Sequence, residues 1–267
     1  MSDAKDKLLN LDKEPESPPV VQQSKEELDK TLKEEERIEL QRLFEQRVQE
    51  EVGKRRNLDV LNGSRVAIMT PMGSEYLHNR WAFQLWNLQR QSPPNTEFIP
   101  VGQYGVDQSR QRAANMFMGM PADFTHLLFL DSDIIPSDFA ITNLLQDNKD
   151  IVSGIYANSL HTGLAAWINE QPLQLPQITQ TNRVDPLIEV DKVGMGLCLI
   201  KRDVFKRLVS VDQPWFYYKV DEIGPHSEDF YFFSLLKRVG VKVYIDIRVQ
   251  GLHMKPSIVA PNGQVSL

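Results

Sequence analysis

Cysteine is nearly missing from this chain. Cys198 is the only one in 267 residues, so no intramolecular disulfide framework is possible and the composition fits a reducing compartment. An excess of positive charge is missing as well. Lys and Arg total 30 against 36 Asp and Glu, a net charge of −6, which argues against a general nucleic-acid binder, whose affinity rests on a basic surface. No apolar run approaches the roughly 20 residues of a membrane-spanning helix. The opening "MSDAKDKLLNLDKEPESPP" has no apolar stretch of the signal-peptide kind. The expectation is a soluble, cytoplasmic protein without a transmembrane segment. What is there is ordinary for a globular chain: 41% hydrophobic and 25% charged residues, enough to build a real core.

Residues 1–23 are polar and carry Pro15, Pro18 and Pro19, the composition of a disordered tail. Residues 24–57 read as a charged helical extension. Ser24 offers a cap with Glu27 three residues on, and Leu28, Leu32, Leu40, Leu43, Phe44, Val48 and Val52 form an interrupted apolar stripe. A solvated helix with a weak docking face fits that stripe; self-association through residues 24–57 is the alternative. The remaining domain is expected over residues 58–267.

Within it, strand and helix signals alternate. "RVAIMT" (65–70) reads as a strand ending at Pro71, and "YLHNRWAFQLWNLQRQ" (76–91) as a helix with Leu77, Trp81, Leu85 and Leu88 on one face. "EFIPVG" is a second strand, 106–120 a helix, "THLLFLD" (125–131) a third strand, and "SDFAITNLLQD" a helix begun by Ser137, before the strand "DIVSGIYA". Such units predict an α/β fold, a mainly parallel sheet flanked by helices on both faces. Ligands in these sheets bind at the carboxyl ends of the strands.

Asp131 and Asp133 stand at such an end. In an extended segment, side chains two apart face one volume. Two carboxylates that close raise each other's pKa unless a cation intervenes, and Mg²⁺ or Mn²⁺ commonly bridges carboxylates to phosphates. The blander alternative is a turn-capping Asp131 beside a solvated Asp133. A haloacid-dehalogenase phosphatase would use the pair as nucleophile and acid/base, but its pattern wants Thr or Val where Ile135 stands and lies near the start of its domain.

Other segments, taken in order, extend the pattern beyond the dyad. "VAIMTP", "QSRQRAANMF", "LLFLDSDIIP", "DIVSGIYAN", "VGMGLCLIKRDVFKRL", "SEDFYFFSLLKRVGVKVYID" and "GLHMKP" together resemble the GT-A fold nucleotide-sugar glycosyltransferases (family 2-like, with an Asp-x-Asp motif) over roughly residues 64–255. The resemblance implies a Rossmann-like GT-A sheet and transfer of a sugar from a nucleotide-diphosphate donor to an acceptor hydroxyl. It implies donor-binding roles for Thr70, Pro71, Arg110, Asp131, Ser132, Asp133, Gly194 and Gly196. Asp131, Asp133 and His253 would ligate Mn²⁺ or Mg²⁺. Asp229 would be the base and Glu228 its partner or substitute. Gln111 stands where Asn is commoner in the family.

Each element also has a plainer reading. Ser227, Glu228 and Asp229 suit a helix start, His253 a core or surface position, and Gly194 and Gly196 a tight turn. Arg110, Arg112 and Lys255 are candidates for the diphosphate's charge or solvated cations. Trp167, Trp215, Phe216, Tyr217 and Tyr218 are candidate sugar-facing aromatics or core, and His226 adjoins the acidic pair. An inverting transfer is expected if Asp229 faces the site, a retaining one if no carboxylate does. A catalytically idle domain that binds a nucleotide or glycan is the alternative of a different class. The acceptor, whether glycan, lipid or protein, is not legible.

Overall fold

The first strand shows why both faces of the sheet are covered. In Val66-Ala67-Ile68-Met69 every side chain is buried. Val66 and Ile68 point into one apolar cluster, while Ala67 and Met69 point into another, the period of two that a strand imposes. The computed structural model describes residues 60–73, 79–94, 96–102, 105–158, 163–174, 185–211, 213–221, 224–254, 258–259 and 265–266. The tail expected over residues 1–23 and the helical extension expected over residues 24–57 lie outside the described residues.

The elements follow in the order β1 (Val66–Met72), α1 (Asn79–Gln91), β2 (Glu97–Gly102), α2 (Val106–Gly119), β3 (His126–Leu130), β4 (Ile134–Pro136), α3 (Ala140–Gln146) and β5 (Ile151–Ile155). Then come β6 (Ala166–Ile168), β7 (Gln171–Pro172), β8 (Leu187–Val190), β9 (Lys192–Val193), β10 (Leu197–Lys201), α4 (Arg202–Leu208), β11 (Lys219–Asp221), β12 (Gly224–His226), α5 (Glu228–Arg238) and β13 (Val243–His253). The main sheet runs β2-β1-β3-β10-β5-β13-β4, with β8 on β13. Strands β2, β1, β3, β5 and β13 share one direction, and β10 runs against its neighbours β3 and β5. This is the helix-flanked, mainly parallel α/β sheet expected from the sequence. The helices α1 and α3 cover one face through Trp81, Leu88, Ile141 and Leu144. The helices α2, α4 and α5 cover the other through Phe117, Phe205 and Phe232. Among the described residues no helix is long and apolar enough to cross a membrane.

Several sequence expectations are corrected. β1 does not end at Pro71 but continues to Met72, with Pro71 in register with Val101 of β2. Pro71 sits where the strand's last rungs need no donor from it. Ser137 does not start α3. Its N–H donates to the Gln250 carbonyl and its Oγ accepts from the Gln250 N–H, so it belongs to the contact with β13. The helix starts after Phe139, which holds a left-handed φ of 57°. Between Asp133 and Ser137 the chain forms β4, which the apolar pattern of "II" alone does not announce.

Two arginines fasten the sheet to its helices. Arg202 donates to the carbonyls of Phe117, Met118, Met120, Pro121 and Phe124, tying the C-terminal end of α2 to the start of α4 and supplying the donors that a helix end lacks. Arg248 grips Asp246 through Nε at 2.9 Å and Nη2 at 2.8 Å, and Nη2 also reaches Asp147 Oδ1 at 2.6 Å. This grip sits on a bulge, for the register of β13 against β5 shifts between Asp246 and Gln250. Beyond it β13 turns to β4, pairing His253 with Ile134.

Burial of Asp147, reinforced by the Asp246 charge and only partly opposed by Arg248, pushes its pKa up from 3.8 to about 7. A raised carboxyl pKa means that the folded chain holds a proton the unfolded chain releases near 3.8. Its stabilising contribution is therefore full below pH 3.8 and lost as pH rises through about 7. Asp147→Asn keeps an acceptor for Arg248 and supplies a permanent donor on the other atom. In urea unfolding followed from pH 4 to pH 8, the variant's midpoint should gain on the wild type as pH rises. A pH-independent difference would refute the assignment.

Candidate functional site

The carboxyl ends of β3 and β5, the amino end of β10 and the last residue of β13 surround a cavity of about 430 Å³. Its wall includes Arg110, Asp131, Asp133, Tyr156, Asn158, Trp167, Gly194, Glu228, Asp229 and His253. Asp131 and Asp133 meet there for a reason other than the one expected. The segment is not extended: the Ile134 N–H donates to the Asp131 carbonyl at 3.1 Å, closing a turn. The turn is anchored from both sides. Asp131 N–H donates to the Gly196 carbonyl at 3.0 Å, and the buried Trp81 indole donates to the Asp131 carbonyl at 3.0 Å.

The two aspartates have different partners. Arg110, on α2 and 4% exposed, directs Nη2 to both oxygens of Asp131 at 3.0 and 2.9 Å, and Nη1 to Glu228 Oε1 at 2.5 Å. Burial works against the guanidinium's charge, but the carboxylates of Asp131, Glu228 and Asp229 outweigh it and raise its pKa. Arg110 is therefore a fixed cation. Burial pushes the Glu228 carboxyl up, with Asp229 adding and Arg110 opposing. Asp133 instead faces His253, whose Nε2 lies 3.2 Å from Asp133 Oδ2.

His253 Nδ1 is 2.8 Å from the Ala157 carbonyl. A carbonyl only accepts, so Nδ1 carries the hydrogen and Nε2 is left toward Asp133. A neutral imidazole would then aim a lone pair at a carboxylate, which is favourable only with a proton or a cation between them. This donor set fits a divalent ion, with the Ala157 carbonyl fixing the ring as metal-bound histidines require. Both oxygens of Asp131 accept from Arg110 as well. Among the described residues no three His, Cys, Asp or Glu side chains are grouped to hold a metal. His253 is the last residue of β13.

Glu228 and Asp229, which also line the cavity, open α5. Ser227 precedes the helix but makes no bond to its backbone donors. Its Oγ instead donates to Asp229 Oδ1, which also accepts from the Phe230 N–H. With Oδ1 so held, Oδ2 is the oxygen available to a ligand. Asp229 is part-exposed while Glu228 is buried.

The glycine turn works through a residue that sequence reasoning missed. Tyr156, buried just past β5, accepts the Gly196 N–H at 2.8 Å. A Cβ at Gly194 would stand 2.3 Å from the Tyr156 hydroxyl, and one at Gly196 would stand 2.9 Å from it and 3.0 Å from Asp131 Oδ2. Both glycines are thus required by close approach. Burial, then the Asp131 charge, hold the Tyr156 phenol well above its ordinary pKa, so it stays protonated. Its position immediately after a parallel strand was the available signal.

Other candidates are placed elsewhere. Thr70 is fully buried with an unpartnered Oγ1, and Thr70, Pro71, Ser132 and Gly196 are not on the cavity wall. For Thr70 and Pro71 the reason is position: the wall is built over β3, β10, β5 and β13, and the end of β1 lies on the far side of β3. Trp215 and Phe216 are core, Phe216 stacking on Phe232 at 4.5 Å. Tyr217 and Tyr218 are exposed away from the wall, as is Arg112. Trp167 is on the wall, packed edge-on against Phe230 at 4.8 Å. Lys255 and the side chain of His226 lie outside the described residues.

No protein-family model matches this chain, and no curated protein matches it. Solved structures do resemble it. A197 from STIV is 23% identical, with a TM-score of 0.51 over 76% of this chain and 93% of that one, and has the same fold. A structure of GalNAc-T7 with UDP, GalNAc and Mn²⁺ is 13% identical at a TM-score of 0.45, over 73% of this chain and 44% of that one. A Drosophila β-1,4-galactosyltransferase 7 structure with manganese, UDP-Gal and xylobiose is 16% identical at 0.40, over 68% of this chain and 65% of that one.

The Tyr156 contacts generate a sign test. Gly194→Ala should cost about 1–3 kcal/mol through overpacking. Tyr156→Phe alone should also destabilise, by leaving the Gly196 N–H without its acceptor. In the Gly194→Ala background the same change removes the clashing oxygen and should stabilise. Equal effects of Tyr156→Phe in both backgrounds, measured by denaturant unfolding, would exclude the contact.

Proposed function

We propose that this cavity binds a nucleoside-diphosphate sugar together with Mn²⁺ or Mg²⁺ and transfers the sugar, with inversion, to an acceptor hydroxyl. The observation that carries the reading is the meeting of two chemistries in one cavity. Asp133 and His253 Nε2 offer a cation a place, and Asp229 offers a part-exposed carboxylate on the same lining. The ordered resemblance to GT-A enzymes, from the Asp-x-Asp turn to His253, supports the same conclusion, with a GT-A-like sheet as its frame.

Asp133 and His253 would hold the ion, which supplies charge neutralisation on the diphosphate leaving group when bound. Arg110 keeps Asp131 and Glu228 neutralised and fixed, so neither spreads extra negative charge toward an anionic donor. Asp229, oriented by Ser227 and the Phe230 N–H, takes the proton from the acceptor hydroxyl. The glycine turn, held by Tyr156, leaves room for the sugar against bare backbone, and Trp167 offers an aromatic wall.

Thermal unfolding with UDP-, GDP- and CMP-sugars, with and without Mn²⁺, tests the donor. One sugar nucleotide should raise the midpoint in the presence of Mn²⁺, by linkage worth about 2.7 kcal/mol at a hundredfold excess over Kd. Asp133→Ala should abolish the Mn²⁺-dependent part. Asp229→Asn should keep donor binding and lower turnover, read as released nucleoside diphosphate, by about 10²–10⁴-fold. No response to any sugar nucleotide would overturn the reading. Binding without turnover in the wild type would leave a binding domain.

A further inference from the structure

The outward face of α1 departs from the usual pattern of a surface helix. Its inner face is satisfied by the core through Trp81 and Leu88, and the opposite face should then be polar. Instead Phe83 and Trp86 stand there 62% and 51% exposed, their rings 5.8 Å apart, with the Arg90 guanidinium 4.8 Å from the Trp86 ring. The spacing of 83, 86 and 90 stacks these side chains on one face. Gln84 and Gln91 hold the loop before α3 against the same helix. Gln84 Nε2 donates to the Pro136 carbonyl at 2.9 Å, and the Phe139 N–H donates to Gln91 Oε1 at 2.8 Å. A third aromatic thus joins the surface, for Phe139 is 55% exposed. Its φ of 57° would suit Gly or Asn, so the turn itself has no use for a phenyl ring.

The surface is also poor in charge, and the charge it has is mostly positive. From Asn79 to Thr96 the only charged residues are Arg80 and Arg90, and from Ser137 to Gln146 the only one is Asp138, which accepts from Gln84 Nε2 at 3.2 Å. In a chain that is 25% charged with a net charge of −6, an acid-free helix with two exposed arginines is complementary to an anionic surface. A protein partner would need a pocket shaped to each protruding ring, whereas the headgroup–acyl boundary of a bilayer takes rings of any outline. We propose that α1 and Phe139 form a membrane-surface contact, in which Phe83, Trp86 and Phe139 enter the headgroup–acyl boundary of an anionic bilayer while Arg80 and Arg90 meet its phosphates. The contact stands independently of the donor-site reading. Trp81, on the inner face of the same helix, donates to the Asp131 carbonyl, so a bilayer seated on α1 lies about 10 Å, one helix diameter, from the turn that carries Asp131.

The test uses the full chain with vesicles of phosphatidylcholine and phosphatidylglycerol in equal parts, or of phosphatidylcholine alone. The protein should co-sediment with the mixed vesicles, less with the neutral ones, and less at high salt. Phe83→Ser combined with Trp86→Ser should weaken binding by about tenfold or more, without lowering the thermal midpoint, since both rings are exposed. Acyl chains brominated near the headgroup should quench the tryptophan fluorescence of the wild type. Trp86→Phe should remove that quenching and keep the sedimentation, because Trp81 and Trp215 are buried. Absence of sedimentation with mixed vesicles, undiminished binding in the double variant, or quenching that survives Trp86→Phe overturns the proposal. So does loss of a concentration-dependent dimer in the double variant without any effect on vesicle binding, which would assign the face to a second copy of this chain.

Discussion

One buried guanidinium holds the site together. Arg110 joins residues 21 and 118 positions away in sequence, and so fixes α2, the turn after β3 and the start of α5 in a single arrangement. The fork geometry matters, since one nitrogen spans both oxygens of Asp131 while the other serves Glu228. A lysine would bring the charge but not the fork. The interaction is expensive to form and more expensive to half-remove, because an orphaned buried carboxylate or guanidinium costs about 3–5 kcal/mol. Such a group contributes less to net stability than to the uniqueness of the geometry around it. Asp133 and Asp229 can remain open toward the cavity because the other two acids are already satisfied.

The β13 bulge is the second constraint of this kind. A strand that stayed in register with β5 would carry His253 away from Asp133. The Arg248 grip on Asp246 stabilises the break in register, after which the strand joins β4 and delivers the imidazole. The same Arg248 reaches Asp147 at the end of α3, so the histidine's placement is tied to helix packing on the opposite side from α2.

Much of this was legible in local sequence. The apolar alternation around Ile68, Leu128 and Val152 announces strands buried on both faces, and the carboxyl-end rule puts Asp131 and Asp133 just past β3, where a cavity opens. Gly194, Asp229 and His253, singled out by the order of their motifs, line the same cavity. What local pattern does not carry is long-range partnership. That Asp131 belongs to Arg110 and Asp133 to His253 depends on which elements the sheet order brings together. Tyr156 was overlooked because a tyrosine after a strand looks like core until the glycines opposite it are seen. Thr70 lies at the end of β1, away from the β10 and β5 ends over which the cavity opens. Trp215 and Phe216 read equally well as sugar platforms or core, and only packing against Phe205 and Phe232 decides.

The antiparallel β10 has a consequence for how the chain acquires its shape. It lies between β3 and β5 and pairs with both, yet it is made after them and after the small β6, β7 and β9 sheet. A chain that has emerged from the ribosome only as far as β5 carries two apolar strands with unpaired facing edges, the kind that recruit other chains. The sheet cannot join its halves until Leu197–Lys201 arrives and slots in between. Assembly of the cavity is thus a late, long-range closure, paced by loop entropy rather than by local helix formation. Until that moment Asp131 lacks the Gly196 carbonyl that anchors its turn.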